Sequence, residues 1–364
     1  MLRRTFVTIA AAFVAASMAP AADAAPKRLI KAIWGDLRAP DGTSEFAQYR
    51  RLGVTLYQTQ LRWDLIAPTK PADAENPADP AYLWPKPIDD AVAEAARNHT
   101  GVTMMIIGAP GWSNGNRPLQ WAPRSPADLA HFATAAARRY PSVRHWMIWG
   151  EPSRTGAFMP LTPQKIGKPL TAKMQQAPRR YARLLDAAYG ALKAERRSNL
   201  VIGGNTYSGG DIRAVNWVRY LRLPNGKPPR MDLYGHNPFC NRAPNLNNPP
   251  GVEETVDFSD LGRFQAVIDR YLARPRGKRT IRFFLSEWTV PTGPDTTFNF
   301  YVTKGTQARF IRQGFKVARA VDAYALGWVP LRDGPPVSGG RTVAGGLIQS
   351  DGVDKPGFAA FAAG

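Results

Sequence analysis

His145-Trp146-Met147-Ile148-Trp149-Gly150-Glu151-Pro152 is the stretch on which the reading of this sequence turns. It is apolar and uncharged from Trp146 to Trp149, then stops at one carboxylate and a proline. Proline removes a backbone donor and pushes the preceding residue out of helical geometry, so a short buried strand should break at Glu151. Ile281-Arg282-Phe283-Phe284-Leu285-Ser286-Glu287-Trp288 repeats the arrangement. Two mostly apolar strands, each ending in a glutamate beside an indole, point to a pair of carboxyls aimed into one cleft.

Six further strand signals accompany these two, at 29–34, 54–61, 100–107, 200–204, 231–235 and 323–329. Helical periodicity separates most of them, over 44–52, 88–97, 125–139, 181–195, 212–221, 259–273 and 306–320, with a short helix from 356. Ser44, Ser125 and Ser259 stand where helix caps are expected. Eight strands alternating with helices predict an α/β chain closed into a (β/α)8 barrel. No composition shift or internal repeat divides it, so residues 25–364 read as a single domain.

The first 24 residues read differently. Arg3 and Arg4 precede an apolar run over 6–18, and Ala22-Asp23-Ala24 supplies a small-x-small cleavage site, the pattern of a secretory signal peptide. The arginine pair also fits a twin-arginine export signal. The apolar run is short for a bilayer, so the expectation is a secreted protein, periplasmic or extracellular, without stable membrane insertion.

Composition narrows the chemistry. The single cysteine, Cys240, allows no intramolecular disulfide, so the core must hold the fold. The four histidines are scattered and no zinc spacing exists. There is no P-loop, no Gly-x-Gly-x-x-Gly after a strand and no Gly-x-Ser-x-Gly elbow, so neither a nucleotide nor a metal cofactor is expected. The formal charge of +20 is spread over short pairs such as Arg138-Arg139, Arg179-Arg180 and Arg196-Arg197. Such a chain is drawn to anionic polymers, acidic polysaccharides among them, but it has no recognition element for nucleic acid.

In barrels of this kind the active site lies at the C-terminal strand ends. Glu151 ends the fourth strand and Glu287 the seventh. Two carboxyls flanking a bound sugar suit glycoside hydrolysis, one protonating the leaving oxygen while the other attacks the anomeric carbon or activates water. Trp34, Trp112, Trp149, Trp288 and Trp328 are the candidate aromatic contacts to substrate. Gln58, Asn114 and Asn205 are candidate partners for hydroxyls, and His236 is a candidate to orient Glu287. Trp146 and Trp149 lie an odd number of positions apart, so on a strand they should point opposite ways.

These segments resemble clan A glycoside hydrolases. Trp146–Pro152 is similar to the fourth-strand motif of that clan and Phe284–Trp288 to its seventh-strand motif. Trp63-Asp64-Leu65-Ile66-Ala67-Pro68 and Gly346-Leu347-Ile348 with Lys355-Pro356 look like segments of families near 5 and 39. The resemblance implies a retaining hydrolase of polysaccharides or oligosaccharides, with Glu151 as acid/base and Glu287 as nucleophile. The chain departs from the clan at three points. Gly150 replaces the asparagine before the acid/base, Gln58 stands where an arginine is usual (Arg62 is close by), and His236, with Phe239 beyond, occupies the region of the sixth-strand tyrosine. Losing those donors should raise the pKa of Glu287. A barrel that binds carbohydrate without cleaving it, and a transglycosylase, are the alternative readings.

Overall fold

The computed structural model describes residues 28–274, 277–278, 280–335 and 342–364; the expected signal peptide lies outside them. Eight parallel strands close into a barrel in sequence order: β1 (Ile30–Trp34), β2 (Leu56–Arg62), β3 (Gly101–Ile107), β4 (His145–Ile148), β5 (Leu200–Tyr207), β6 (Leu233–Asn237), β7 (Arg282–Leu285) and β8 (Ala325–Trp328). β8 closes on β1 with Ile30 opposite Ala325. Around the strands run α1 (Phe46–Leu52), α2 (Trp63–Ile66), α3 (Lys86–Arg97), α4 (Gly111–Asn114), α5 (Pro126–Arg139), α6 (Gln176–Glu195), α7 (Ala214–Tyr220), α8 (Leu261–Tyr271), α9 (Lys304–Ala320) and α10 (Pro356–Ala363). The (β/α)8 barrel expected from the strand count is the observed fold.

Side-chain alternation along the strands sorts the apolar residues into two cores. Ala32, Leu56, Met105, Met147, Ile202, Leu233, Phe284 and Ala325 fill the barrel interior, one from each strand. Their neighbours, such as Met104, Trp146, Val201, Tyr234 and Phe283, point outward into the layer beneath the helices. Fully burying a large apolar side chain contributes on the order of 1.5–3 kcal/mol, so this layer carries most of the stability.

Helix ends follow local chemistry, with shifts from the sequence reading. Ser125 caps α5 as expected, accepting from the Ala127 N–H at 3.2 Å. Ser44 sits one residue outside the cap of α1 and accepts from Phe46 N–H. Asp257, not Ser259, makes the cap ahead of α8, in a reciprocal pair with Asp260. α6 starts at Gln176, five residues earlier than periodicity suggests, because Pro178 falls in the first turn, where a missing N–H costs no helix bond.

At the base of the barrel, Lys31 points outward from β1 and is buried. Its ammonium donates to the carbonyls of Leu52 (3.3 Å), Phe361 (2.9 Å) and Ala362 (2.7 Å), which joins the ends of α1 and α10 to the first strand. Burial lowers its pKa to about 8, with the charges of Arg319 and Arg28 adding to the effect.

Candidate active site

The C-terminal ends of the strands surround a cavity of about 200 Å³. Glu151 and Glu287 stand on its wall together with Trp34, Gln60, Asn205, Asn237 and Ser286. β4 ends at Ile148, and Trp149 and Glu151 then take left-handed backbone angles, φ 63° and 43°. For non-glycine residues such angles store strain, and they turn the glutamate inward off the strand tip. Asn205, itself at φ 46°, supports the turn: its Nδ2 donates to the carbonyls of Ile148 (3.1 Å) and Trp149 (2.7 Å). Gly235 leaves space for that amide, since a Cβ there would stand 1.7 Å from Asn205 Oδ1.

Asn237, at the tip of β6, joins the two glutamates. Its Nδ2 donates to Glu151 Oε1 at 2.9 Å and to Glu287 Oε2 at 3.4 Å, and its Oδ1 accepts from Ser286 Oγ at 2.7 Å. Two oxygens sharing one donor nitrogen at those distances lie no more than about 6.3 Å apart. If the two acceptors follow the two N–H directions of the amide, the separation is roughly 5.5 Å. Arg154 forms an ion pair with the other oxygen of Glu151 and lies over the Tyr207 ring, 4.8 Å from its centroid.

The environment of Glu287 is hostile to charge. Desolvation raises its pKa from 4.5 to about 8, the charge of Glu151 adds to the rise, and Arg154 opposes it. Gln58, where the resemblance leads one to expect an arginine, donates to the backbone carbonyl of Ser286 at 2.8 Å. Arg62 is engaged by Asp64 at 2.8 and 2.6 Å.

The residues singled out in the sequence separate into two groups. Trp34, Asn205, Glu151 and Glu287 line the cavity, and Gln58 packs directly behind Ser286. The Trp34 indole N–H and Asn205 Oδ1 have no hydrogen-bond partner among the described residues.

The others lie elsewhere. Trp149 is fully buried, with its N–H on the Ala157 carbonyl at 2.8 Å and its ring edge-on to Phe158. Trp146 is core as well; the strand has ended before Trp149, so the left-handed turn overrides the alternation that set the two indoles on opposite sides. Trp288 and Trp328, expected to meet substrate, pack against each other at 5.0 Å with no exposed surface. Trp112 donates to the Ala67 carbonyl and packs on Trp63. Asn114 holds its own loop through the carbonyls of Ala109, Arg117 and Pro118. His236 faces outward: it is bonded to Thr206 Oγ1 (2.8 Å) and the Val256 carbonyl (2.9 Å), and burial lowers its pKa to about 4. It is a neutral structural histidine, one position out of register with the cavity.

Sequence reasoning missed Asn237, Ser286, Arg154 and the partly exposed aromatics Tyr207, Phe239 and Phe298, which form a chain of contacts beside Arg154. Alternation was the signal for Asn237. Leu233 points into the barrel, so Gly235 and Asn237 do too, and His236 does not. Among the described residues no group of three or more His, Cys, Asp or Glu could hold a metal ion, and no helix is long and apolar enough to cross a membrane.

No family model and no curated protein matches this sequence. Solved structures match the fold. A family 39 glycoside hydrolase from Bacteroides cellulosilyticus WH2 superposes with a TM-score of 0.63 at 16% identity, over 92% of this chain and 63% of its own. A glucosidase from Croceicoccus marinus gives 0.62 at 16%, over 93% and 67%. A monomeric β-xylosidase from Caulobacter crescentus CB15 gives 0.58 at 16%, over 92% and 66%. The chain thus spans about two thirds of the length of these structures, and what it shares with them at this identity is the barrel fold.

Proposed function

We propose that this protein is an exported retaining glycoside hydrolase acting on a β-linked glycan. Glu151 serves as acid/base and Glu287 as nucleophile. The observation that carries the reading is the single Asn237 nitrogen bonded to both carboxylates. It holds the bonded oxygens no more than about 6.3 Å apart, which admits the roughly 5–5.5 Å spacing of retaining pairs and falls short of the roughly 6.5–9.5 Å that an inverting mechanism needs. The barrel shared with solved glycosidases supports it as analogy, since one barrel hosts many chemistries.

In the first step Glu287 attacks the anomeric carbon while Glu151 gives its proton to the leaving oxygen; in the second, Glu151 takes a proton from water, which displaces Glu287. Glu287 must be ionised to attack, whereas burial favours its proton in the empty cleft. Positive charge developing on the sugar ring beside it shifts that balance toward the carboxylate. Trp34 and Asn205, which line the cavity and whose buried indole N–H and amide oxygen have no partner among the described residues, are the proposed substrate contacts. The export part of the reading rests on residues 1–24 of the sequence.

The raised pKa of Glu287 favours a second reading, a barrel that binds glycan without cleaving it. A panel of β-linked glycans assayed for released reducing ends separates the two. Under the hydrolase reading, Glu287→Gln abolishes turnover, and Glu151→Ala loses activity that added azide partly restores. Wild-type rates in either variant, or no release from any glycan by the native chain, would overturn it.

A further inference from the structure

A groove of about 600 Å³ lies on the flank of the barrel, outside the cavity that holds the two glutamates. Arg179, Arg180 and Arg183, on the first turns of α6, line it together with Arg222 from the loop after α7. Arg179 and Arg183 are exposed; Arg180 and Arg222 are half-buried. None of the four has a carboxylate partner among the described residues. Arg179 reaches Gln175 Oε1 at 2.7 Å, and Arg222 reaches the carbonyls of Val218 (3.5 Å) and Leu221 (2.8 Å) and lies 5.7 Å from the centroid of the Tyr271 ring. Some arginines elsewhere are matched, Arg230 by Asp186, Arg242 by Asp257 and Asp260, Arg332 by Glu45, and others such as Arg144, Arg196 and Arg219 are not; what sets these four apart is that they share one groove.

Crowding cations without counter-charge costs stability, and the cost grows as they leave water. Burial depresses the pKa of Arg180, with the Arg183 charge adding to it, and burial depresses that of Arg222. An anion in the groove relieves both effects. The guanidinium fork matches a carboxylate in two parallel hydrogen bonds. The volume suits a small molecule or a short stretch of sugar units, and Leu223 and Pro224 give it an apolar edge. The groove lining contains no aromatic residue for base stacking, which argues against a single-stranded nucleic acid.

We propose that this groove is a binding site for uronate carboxylates, holding an acidic glycan on the barrel flank away from the catalytic cavity. The requirement for an anion stands on the arginines alone; that the anion belongs to a glycan rests on the hydrolase reading above.

The test is calorimetric titration of the full chain with oligogalacturonate, with a neutral oligosaccharide of the same length, with polyphosphate and with single-stranded DNA. The expected result is binding of oligogalacturonate but not of the neutral oligosaccharide. It should weaken about tenfold or more in Arg180→Gln/Arg222→Gln, and in the exposed pair Arg179→Gln/Arg183→Gln, which spares the fold. Turnover of a short neutral substrate should be unchanged in both pairs. Unaltered oligogalacturonate affinity in both, or tighter binding of polyphosphate or DNA than of oligogalacturonate, would overturn the proposal. Uronate binding that depends on the arginines in a chain inactive on every glycan would defeat the hydrolase reading and leave the anion site standing.

Discussion

Met105 occupies the space that a side chain at Gly150 would need: a Cβ on Gly150 would stand 3.0 Å from Met105 Sδ and 3.1 Å from its Cε. Both residues line the cavity, one in β3's inward row and one immediately before Glu151. A side chain at 150, such as the asparagine that contacts the sugar's 2-hydroxyl in the clan the sequence resembles, would have to displace Met105. Gly150→Asn alone should cost about 1–3 kcal/mol through overpacking. Gly150→Asn with Met105→Ala should recover most of that and lower KM for substrates with a free 2-hydroxyl. Thermal melts and kinetics on a matched pair of sugars, with and without that hydroxyl, check both statements.

Glu287 links stability to pH. Its folded pKa of about 8 exceeds the ordinary 4.5 of a free glutamate, so between those values the folded chain binds more protons than the unfolded one. Stability from this group is therefore full below pH 4.5 and is lost as pH rises toward 8. Glu287→Gln removes the titration. Its melting temperature relative to wild type should climb from about pH 5 to about pH 8.5, by no more than about 4 kcal/mol equivalent. A difference that stays flat with pH would show that the site does not penalise the charge.

Arg154 is the cation that holds the Glu287 pKa down and also pairs with Glu151. Arg154→Gln should move the Glu287 pKa further up, by about half a unit to one unit. Since the nucleophile acts ionised, the acidic limb of the kcat/KM profile should shift to higher pH by that amount. An unmoved limb would place Arg154 outside the electrostatics of the pair.

Asn237 fixes the spacing of the pair through one nitrogen. Asn237→Ala should lower kcat about 10- to 100-fold with a small change in melting temperature, because misplacing catalytic groups by about 1 Å carries a cost of that order. Asn237→Asp should be worse, since a third carboxylate beside Glu287 raises its pKa again. Activity equal to wild type in both would remove Asn237 from the mechanism.

The barrel was legible because each strand carries its own burial pattern, and the two glutamates because proline or tryptophan punctuates the strand ends. What escaped the sequence depends on local backbone. Trp149 joined the core because a left-handed turn at φ 63° intervened where simple alternation was assumed. His236 took the attention that belonged to Asn237 because β6 runs two residues beyond the expected strand end at 235. Trp288 and Trp328 are large enough to suggest sugar platforms, yet close packing decides their place. Gly314 of α9 allows Trp288 to sink, since a Cβ there would meet the indole at 2.7 Å.

The Lys31 ammonium draws its acceptors from residues more than three hundred positions away, on α10. Before α10 docks, that ammonium has only one of its three carbonyl acceptors, the Leu52 carbonyl, and water must serve for the others. A chain that stops short of α10 therefore lacks the contacts that tie this helix to β1. Docking of α10 on β1 is thus a long-range step, and chains cut before residue 356 are expected to be looser and more protease-sensitive than the full chain.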